Sequence, residues 1–375
     1  MQKKNIVILG PANPYRGGIA TGNDILGEEF SKNHNVSIVN FTVQYPNFLF
    51  PGKTQFHENP TTPPSYNKRE LSSINPFNWI KIGKKLKKQK PDIVVMRYWM
   101  PFFAPTLGTV SKIVRKNKHT KVIVIADNII PHENRIGDKQ LTKYLVNNVD
   151  GFIAMSKSVL KEFDLFGIKN KLYSPHPMFR NYGNKITKEE ACAELGLNPK
   201  YKYILFFGLV RDYKGLDLLL KAFAHPFFKE NNIKLIIAGE YYSKKEYYQT
   251  LIKELNLTNE VINFDYFIPD EKVNLFFSVA ELIASPYKSA TQSGVAQIAY
   301  HFELPMLVTN VGGLPELVPN NKVGYVVEPD EQAIREKLIL FFKENKKAEF
   351  EKNLAIEKQR FTWDKMVNAI LRLAE

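Results

Sequence analysis

The clearest guide to the fold is the stretch Tyr203–Phe223, which reads YILFFGLVRDYKGLDLLLKAF. Its first five residues, Tyr203–Phe207, are all apolar or aromatic, as in a strand that is buried on both faces of a parallel sheet. Leu216–Phe223 then places apolar residues at the spacing of an amphipathic helix. A strand, a short loop and a helix in this order predict α/β architecture with a parallel sheet.

The same alternation of short apolar runs and helical stretches extends over the whole chain, so we predict two doubly wound α/β domains. The segment Ser174–Asn184 has two prolines and little periodicity, which is typical of an interdomain linker. Tyr45–Ser73 is rich in Pro, Asn and Thr and is predicted to be one long loop. The predicted strands are Ile6–Leu9, Val36–Phe41, Asp92–Met96, Lys121–Ala126, Gly151–Ala154, Lys171–Tyr173, Tyr203–Phe207, Lys234–Ala238, Val261–Phe264, Leu282–Ala284, Met306–Thr309 and Gly324–Val327.

The composition indicates a globular protein with an anionic partner. The chain has 52 Lys and Arg against 38 Asp and Glu, which gives a formal net charge of +14. This excess favours nucleic acid, an anionic membrane surface or a phosphorylated substrate, without choosing among them. The single cysteine, Cys192, excludes an intramolecular disulfide. The apolar run at the N-terminus is too short for a signal peptide, and no stretch is long enough to span a bilayer, so we expect a cytoplasmic protein.

The loop Gly208–Gly215 carries the strongest functional signal. Arg211 and Lys214 stand beside a glycine at the carboxyl end of a predicted strand, where ligands of open α/β sheets bind. Arginine can hold a diphosphate through paired hydrogen bonds, and lysine acts as a point charge. The simpler alternative is an exposed basic turn. We favour a phosphate-binding loop.

Four further loops follow predicted strands, and each has a simpler structural explanation. Gly17 and Gly18 allow backbone N–H groups to approach a phosphate, or only form a tight turn. His132 lies in a polar cluster that could equally cap a turn. The stretch Ser289–Gln297 offers hydroxyls and helix-start amides to an anion or a ribose, or only an N-cap. Gly312 and Gly313 allow close approach to a ligand, or only a turn.

The order of these motifs resembles retaining glycosyltransferases of the GT-B fold, in the large family 4 group. The resemblance extends over nearly the whole chain and is most specific at Gly208–Gly215 and at Val311–Glu316. It implies two Rossmann-like domains whose parallel sheets face each other across a cleft. Residues 1–178 would bind the acceptor and residues 179–360 the nucleotide-sugar donor, while a C-terminal helix at about 361–375 packs back on the first domain.

The resemblance also implies roles for individual residues. Arg211 and Lys214 would hold the donor diphosphate, and His132 would lie beside the transferred sugar; these three are the expected catalytic residues. Family members usually carry two glutamates, with seven residues between them, across Ala290–Ile298, and both positions are non-acidic here. The expected donor-binding residues are Gly17, Gly18, Gly208, Gly215, Thr291, Gln292, Ser293, Gly294, Gln297, Gly312 and Gly313.

No Asp-x-Asp pair occurs in the chain, so we expect neither a metal nor another cofactor. The expected partners are a nucleotide-sugar donor and a glycan or lipid-linked acceptor, without nucleic acid. Two alternatives remain open at this point. One is a binding protein for nucleic acid or a membrane surface, for which the positive charge would be the main feature. The other keeps the fold and changes the activity: a sugar-nucleotide epimerase, or a homologue without catalytic activity.

A basic helix is predicted to begin at Asn75-Pro76, because Asn caps helices and Pro suits the first turn. Its lysines form one stripe, and three apolar residues form another face. The stripe could rest on anionic lipid headgroups, which would place the protein at the inner membrane face, or could simply be solvated. The stripe comprises Lys81, Lys84, Lys85 and Lys88, and the apolar face comprises Trp79, Ile82 and Leu86.

Overall fold

The computed structural model describes residues 2–46, 54–57, 62–130, 136–242, 244–290 and 293–375. The chain divides into two compact units. The first consists of Met1–Pro177 together with Thr362–Glu375, and the second is Met178–Phe361. None of the described helices is long and apolar enough to cross a membrane.

The first unit is built on a sheet of seven parallel strands with helices between them. Most of the strands are apolar and buried, which confirms the pattern expected of a parallel sheet covered on both faces. The strands are β1 Asn5–Leu9, β2 Asn35–Val43, β3 Asn67–Ser72, β4 Ile93–Tyr98, β5 Lys121–Ala126, β6 Gly151–Ala154 and β7 Lys171–Tyr173, in the order β3-β2-β1-β4-β5-β6-β7. The helices between them are α1 Gly18–Ser31, α2 Pro76–Gln89, α3 Ala104–Val114, α4 Asp138–Val146 and α5 Lys157–Glu162.

Strand β3 was not foreseen, and the prediction of one long loop over Tyr45–Ser73 is wrong at its end. Asn67–Ser72 pairs with β2 in parallel at the edge of the sheet. Its sequence NKRELS has one apolar residue, Leu71, and therefore shows no strand-like alternation. An edge strand bonds to one neighbour only, and here the pairing with β2 outweighs the weak local preference.

The second unit repeats this architecture with a sheet of six parallel strands. The strands are β8 Lys202–Phe207, β9 Ile233–Ala238, β10 Val261–Phe264, β11 Leu282–Ser285, β12 Met306–Thr309 and β13 Gly324–Val327, in the order β10-β9-β8-β11-β12-β13. The helices are α6 Lys188–Leu195, α7 Leu216–Phe223, α8 Pro226–Glu230, α9 Lys245–Glu254, α10 Val273–Val279, α11 Gly294–His301, α12 Leu314–Leu317, α13 Glu331–Lys343 and α14 Lys347–Glu357. All the predicted strands are confirmed, with small differences at their ends.

The last helix, α15 (Trp363–Leu373), belongs to the first unit. It contacts α1, β6 and β7. The buried residues Trp363, Met366, Ile370 and Leu373 recur every three or four positions, which places them on one face. The packing is close, because a Cβ added to Gly151 at the start of β6 would lie 2.9 Å from the side chain of Leu373.

Candidate functional site

The loop after β8 makes a sharp turn into α7. Residues Asp212–Lys214 form one turn of 3₁₀ helix, and Gly215 follows with a φ of 68°. A Cβ added to Gly215 would lie 1.9 Å from the carbonyl oxygen of Pro286, in the turn after β11. Only glycine lets these two backbones approach so closely. The loops at the carboxyl ends of two neighbouring strands are therefore in direct contact.

Lys214 is a buried cation in this loop, with 8% of its surface exposed. Its Nζ lies 5.7 Å from the centroid of the Tyr287 ring, and no carboxylate among the described residues pairs with it. Burial lowers the pKa of the Lys214 ammonium, and Arg211 lowers it further against an opposing effect of Tyr213. Burying an unpaired charge is costly. The arrangement therefore suits an anionic ligand that would supply the missing charge.

Arg211 begins the same turn, and its guanidinium carbon lies 5.0 Å from the centroid of the Tyr242 ring. Tyr242 belongs to the loop after β9, which the sequence reasoning missed. Val210 donates its N–H to the carbonyl of Glu240 at 2.9 Å, and Tyr242 donates to Val210 at 3.1 Å. The signal that could have found this loop is Gly239, directly after the predicted strand Lys234–Ala238.

Helix α11 brings a third loop to the same place. Its N-cap Ser293 accepts a hydrogen bond from the N–H of Ala296 at 3.3 Å, and Ser293 also hydrogen-bonds the hydroxyl of Tyr287. Val295 Cγ2 lies 3.6 Å from where a Cβ on Gly208 would stand. Gly294 is the first residue of the helix. Thr291 and Gln292, also predicted for this site, lie outside the described residues.

Gln297 lies one turn further along α11 and is fully buried. Neither its amide oxygen nor its amide nitrogen has a hydrogen-bond partner among the described residues. A buried polar group without a partner costs about 1–3 kcal/mol, so such groups call for a specific explanation. A polar ligand that reaches this amide when bound would provide one.

Gly312 and Gly313 follow β12, at the same edge of the sheet as the loops above. Gly312 has a φ of 52°, and Gly313 precedes the short helix α12. Thr309, at the end of β12, donates its hydroxyl to the carbonyl of Tyr287 at 2.5 Å. The end of β12 is thus hydrogen-bonded to Tyr287, whose ring lies near Lys214. Gly312 and Gly313 lie at the same edge of the sheet.

In the first unit, the loop Gly10–Gly18 leads from β1 into α1 and is held by side-chain amides. Asn40 accepts from the N–H of Ala12 at 3.1 Å and donates to its carbonyl at 2.9 Å, while Asn23 donates to Pro11 at 2.7 Å. Gly17 has a φ of 106° and serves as the N-cap of α1, and Gly18 is the first helical residue. Both glycines are exposed.

Asp24 on α1 also holds this loop, because its carboxylate accepts from the N–H of Asn13 at 2.9 Å. Burial raises the pKa of Asp24 to about 7, with the hydrogen bond from Asn13 opposing the shift and Glu28 adding to it. The carboxyl group therefore titrates near neutral pH.

His132 lies outside the described residues, so only residues around its predicted site can be placed. Asp127, directly after β5, forms a bidentate ion pair with Arg97 of β4, at 3.0 Å from Nε and 2.6 Å from a terminal nitrogen. Arg97 is 2% exposed. His176 lies near this pair, and burial lowers its pKa to about 4, helped by Arg97 and opposed by Asp127.

Two of the predicted donor-binding loops lie together in the second unit, and they carry Gly208, Arg211, Lys214, Gly215, Ser293 and Gly294. No group of three or more His, Cys, Asp or Glu side chains that could hold a metal ion occurs within the described parts of the chain.

Two family profiles match the chain, and together they account for most of it. The profile of glycosyl transferases group 1 matches residues 187–359, and that of glycosyltransferase family 4 matches residues 16–173. The chain belongs to these glycosyltransferases. The boundaries of the two profiles follow the two units, so this glycosyltransferase carries the group 1 signature on the unit that contains Arg211 and Lys214.

Individual relatives are distant. Spore coat protein SA of Bacillus subtilis is 23% identical over 220 residues, which span 56% of this chain and 57% of that protein. The D-inositol 3-phosphate glycosyltransferase of Corynebacterium glutamicum is 28% identical over 167 residues, which span 43% of this chain and 38% of that protein. The chain thus spans about half the length, or less, of these curated relatives.

The GT-B fold is shown by solved structures. The Anabaena protein Alr3699/HepE in complex with UDP superposes with a TM-score of 0.72 at 14% identity, over 99% of this chain and 98% of that one.

Proposed function

We propose that this glycosyltransferase moves a hexose from a nucleoside diphosphate sugar onto a hydroxyl of a glycan or lipid-linked saccharide. The observation that carries the proposal is Lys214, a buried ammonium that lacks a carboxylate partner among the described residues and stands beside Arg211. A diphosphate supplies the charge that this site lacks. The complex of HepE with UDP supports UDP sugars as the first donors to test.

In the proposed reaction, the bond between the sugar's anomeric carbon and the β-phosphate oxygen breaks. A bond from that carbon to the acceptor oxygen forms on the same face, so that the configuration is retained. The acceptor proton passes to an oxygen of the leaving diphosphate. Arg211 and Lys214 stabilise the negative charge that develops on this group, a task suited to preorganised cations in a site that excludes water.

The unpaired amide of Gln297 fits a second role in donor binding. It lies on α11, one turn after Ser293, in the stretch where the family's acidic pair is absent. We propose that the amide hydrogen-bonds a hydroxyl of the donor, since an amide can both donate to and accept from such a group.

The test of this proposal is a transfer assay with a panel of nucleotide sugars and saccharide acceptors. We expect nucleoside diphosphate release that depends on the acceptor, and a product whose anomeric configuration matches the donor by NMR. Interconversion of the sugar with donor alone would instead identify an epimerase. If no nucleotide sugar binds to the wild-type chain in calorimetry, the proposed function is wrong.

We further propose that α2 rests on an anionic membrane surface. The cap at Asn75 is confirmed, since its side chain accepts from the N–H groups of Phe77 and Asn78. Ile82 and Leu86, which their spacing placed on one apolar face, are both buried. Lys85 differs from the predicted stripe, because it forms an ion pair with Glu70.

The exposed face of α2 includes apolar groups that the sequence reasoning had not assigned to it. Phe77 is 84% exposed and Ile80 40% exposed, and they share this face with Lys81, Lys84 and Lys88. Apolar side chains that can enter a bilayer surface, next to lysines that attract its headgroups, are typical of interfacial helices. Each lysine contributes up to about 1 kcal/mol near anionic lipid.

This proposal is tested by co-sedimentation with phosphatidylcholine vesicles, with and without phosphatidylglycerol. We expect binding that needs the anionic lipid, and loss of most of it when Lys81, Lys84 and Lys88 are all changed to Gln. The matched control changes the exposed Lys200, Lys229 and Lys253 of the second unit to Gln, which alters the net charge equally. Equal binding by the two triple variants would show that α2 is only a solvated face.

A further inference from the structure

A small cavity opens beside the N-terminus of α1 in the first unit. Its volume is about 180 Å³. This is smaller than the roughly 300–1,000 Å³ of pockets for drug-sized ligands, and suits a single ring. Its lining includes Gly17, Gly18, Gln44, Tyr45, Gln55 and Trp99.

Two aromatic side chains in this lining, Tyr45 and Trp99, are fixed in place. The indole N–H of Trp99 donates to the hydroxyl of Tyr45 at 2.7 Å. Gln55 binds the backbone of Tyr45 on both sides, since its amide accepts from the N–H at 3.2 Å and donates to the carbonyl at 3.0 Å. Phe103 packs against both rings, with centroids 4.2 Å from Trp99 and 5.3 Å from Tyr45.

Gln44 differs from its neighbours in the lining because its side-chain amide makes no hydrogen bond to any described residue. Gln55, in contrast, uses both ends of its amide to hold Tyr45. The cavity therefore combines two preorganised aromatic rings with one amide that is available to a ligand. Within the described residues, no hydrogen bond that holds the fold involves that amide.

We infer that this cavity binds one sugar ring of the acceptor, against Tyr45 and Trp99, with Gln44 hydrogen-bonding its hydroxyls. The C–H groups on one face of a pyranose carry partial positive charge, and the faces of aromatic rings are negative. A neutral amide can donate to and accept from hydroxyls at once. The inference rests on the proposed function, which takes the acceptor to be a saccharide, and it adds the residues that recognise one ring of that saccharide.

The experiment is saturation-transfer NMR on the full chain with a panel of methyl hexopyranosides, in the presence of saturating UDP. We expect at least one glycoside to receive saturation mainly on the C–H groups of one ring face. Trp99→Ala should weaken binding about tenfold or more through lost ring contact. Gln44→Ala should weaken it about three- to tenfold through a lost hydrogen bond. Trp99→Phe should retain most of the binding, and Trp79→Phe on α2 serves as the control.

Gln44→Ala keeps the inference falsifiable even if Trp99→Ala does not fold, because the Gln44 amide bonds to none of the described residues. UDP affinity is measured by calorimetry on the same variants and should stay unchanged. The inference is overturned if no glycoside binds to a wild-type chain that binds UDP, or if Gln44→Ala and Trp99→Ala bind glycosides as the wild type does. If UDP does not bind while the variants still abolish glycoside binding, the cavity is a sugar site and the proposed donor chemistry fails.

Discussion

Among the described residues, each unit buries a single Lys or Arg side chain near the carboxyl end of a strand, and the two differ in whether a carboxylate pairs with them. In the first unit, Arg97 is 2% exposed and bound by both oxygens of Asp127. In the second, Lys214 is 8% exposed and has no carboxylate partner within the described residues. The loops that lead from strand to helix also differ, because side-chain amides hold Gly10–Gly18 in place, whereas Gly208–Gly215 contains the buried Lys214.

We propose that the difference separates a structural charge from one that serves ligand binding. The Arg97 guanidinium is neutralised by the fold itself and stabilises the carboxyl ends of β4 and β5. In our proposal, the donor diphosphate neutralises the Lys214 ammonium, and the unbound chain is less stable because this charge is buried without a carboxylate among the described residues. Under the proposed function, the second unit would therefore bind the donor diphosphate.

The largest effect is expected from Arg97→Leu. It leaves the Asp127 carboxylate buried without its partner, and breaking a buried pair in this way costs about 3–5 kcal/mol. The double variant Arg97→Leu, Asp127→Leu removes both charges and should lose less stability than the single variant. The measurement is the free energy of unfolding by chemical denaturation. If Arg97→Leu is as stable as the wild type, Arg97 does not have the structural role proposed for it.

Lys214→Met is expected to keep or raise the stability of the protein and to lower its affinity for UDP. The apolar side chain removes a desolvated charge, so the free energy of unfolding should stay equal or rise. A charge-assisted bond to phosphate is worth about 1.5–3 kcal/mol, so UDP affinity should fall about tenfold to a hundredfold. Calorimetry and thermal unfolding of the same sample measure both. The control is Lys221→Met, at an exposed position of α7, which should leave UDP affinity as it is.

Unchanged UDP affinity in Lys214→Met would contradict the assignment of this lysine to the donor. Lost stability together with lost affinity would show instead that Lys214 is structural, like Arg97.

A smaller, pH-dependent effect is expected from Asp24→Asn in the loop of the first unit. Because burial raises the pKa of Asp24 from its ordinary value of 3.8 to about 7, its stabilising proton is lost as pH rises through that range. The amide keeps an oxygen for the N–H of Asn13 and does not titrate. Relative to the wild type, the variant should gain up to about 2 kcal/mol of stability between pH 5 and pH 8. The measurement is the free energy of unfolding of both proteins as a function of pH. A constant difference between them from pH 5 to pH 8 would show that Asp24 does not titrate in this range.

The smallest expected effect is that of EDTA. If Arg211 and Lys214 stabilise the leaving diphosphate, transfer activity should persist after chelation of divalent cations. The measurement is the initial rate with and without EDTA, with added manganese and magnesium as the reverse experiment. Activity that disappears on chelation and returns with either ion would assign that role to a metal.

The sequence predicts the strands, the parallel sheets and the loops at their carboxyl ends, because buried parallel strands are continuous apolar runs. It does not predict β3, whose residues are polar and whose pairing depends on β2. The sequence also does not predict that Lys214 is buried and that Lys85 is paired, since both lysines stand in basic stretches. Only the fold buries Lys214 and brings Lys85 to Glu70. The cavity beside α1 combines segments that are distant in the chain, so no local pattern could indicate it.

The three tryptophans of the chain, Trp79, Trp99 and Trp363, all belong to the first unit. The second unit has tyrosines but no tryptophan. Fluorescence excited at the long-wavelength edge, where only tryptophan absorbs, therefore comes from the first unit alone. Trp99 lines the cavity, while Trp79 and Trp363 are packed in α2 and α15. A spectrometer can therefore follow events in the first unit without any added label, and ligands of the two units become optically distinguishable.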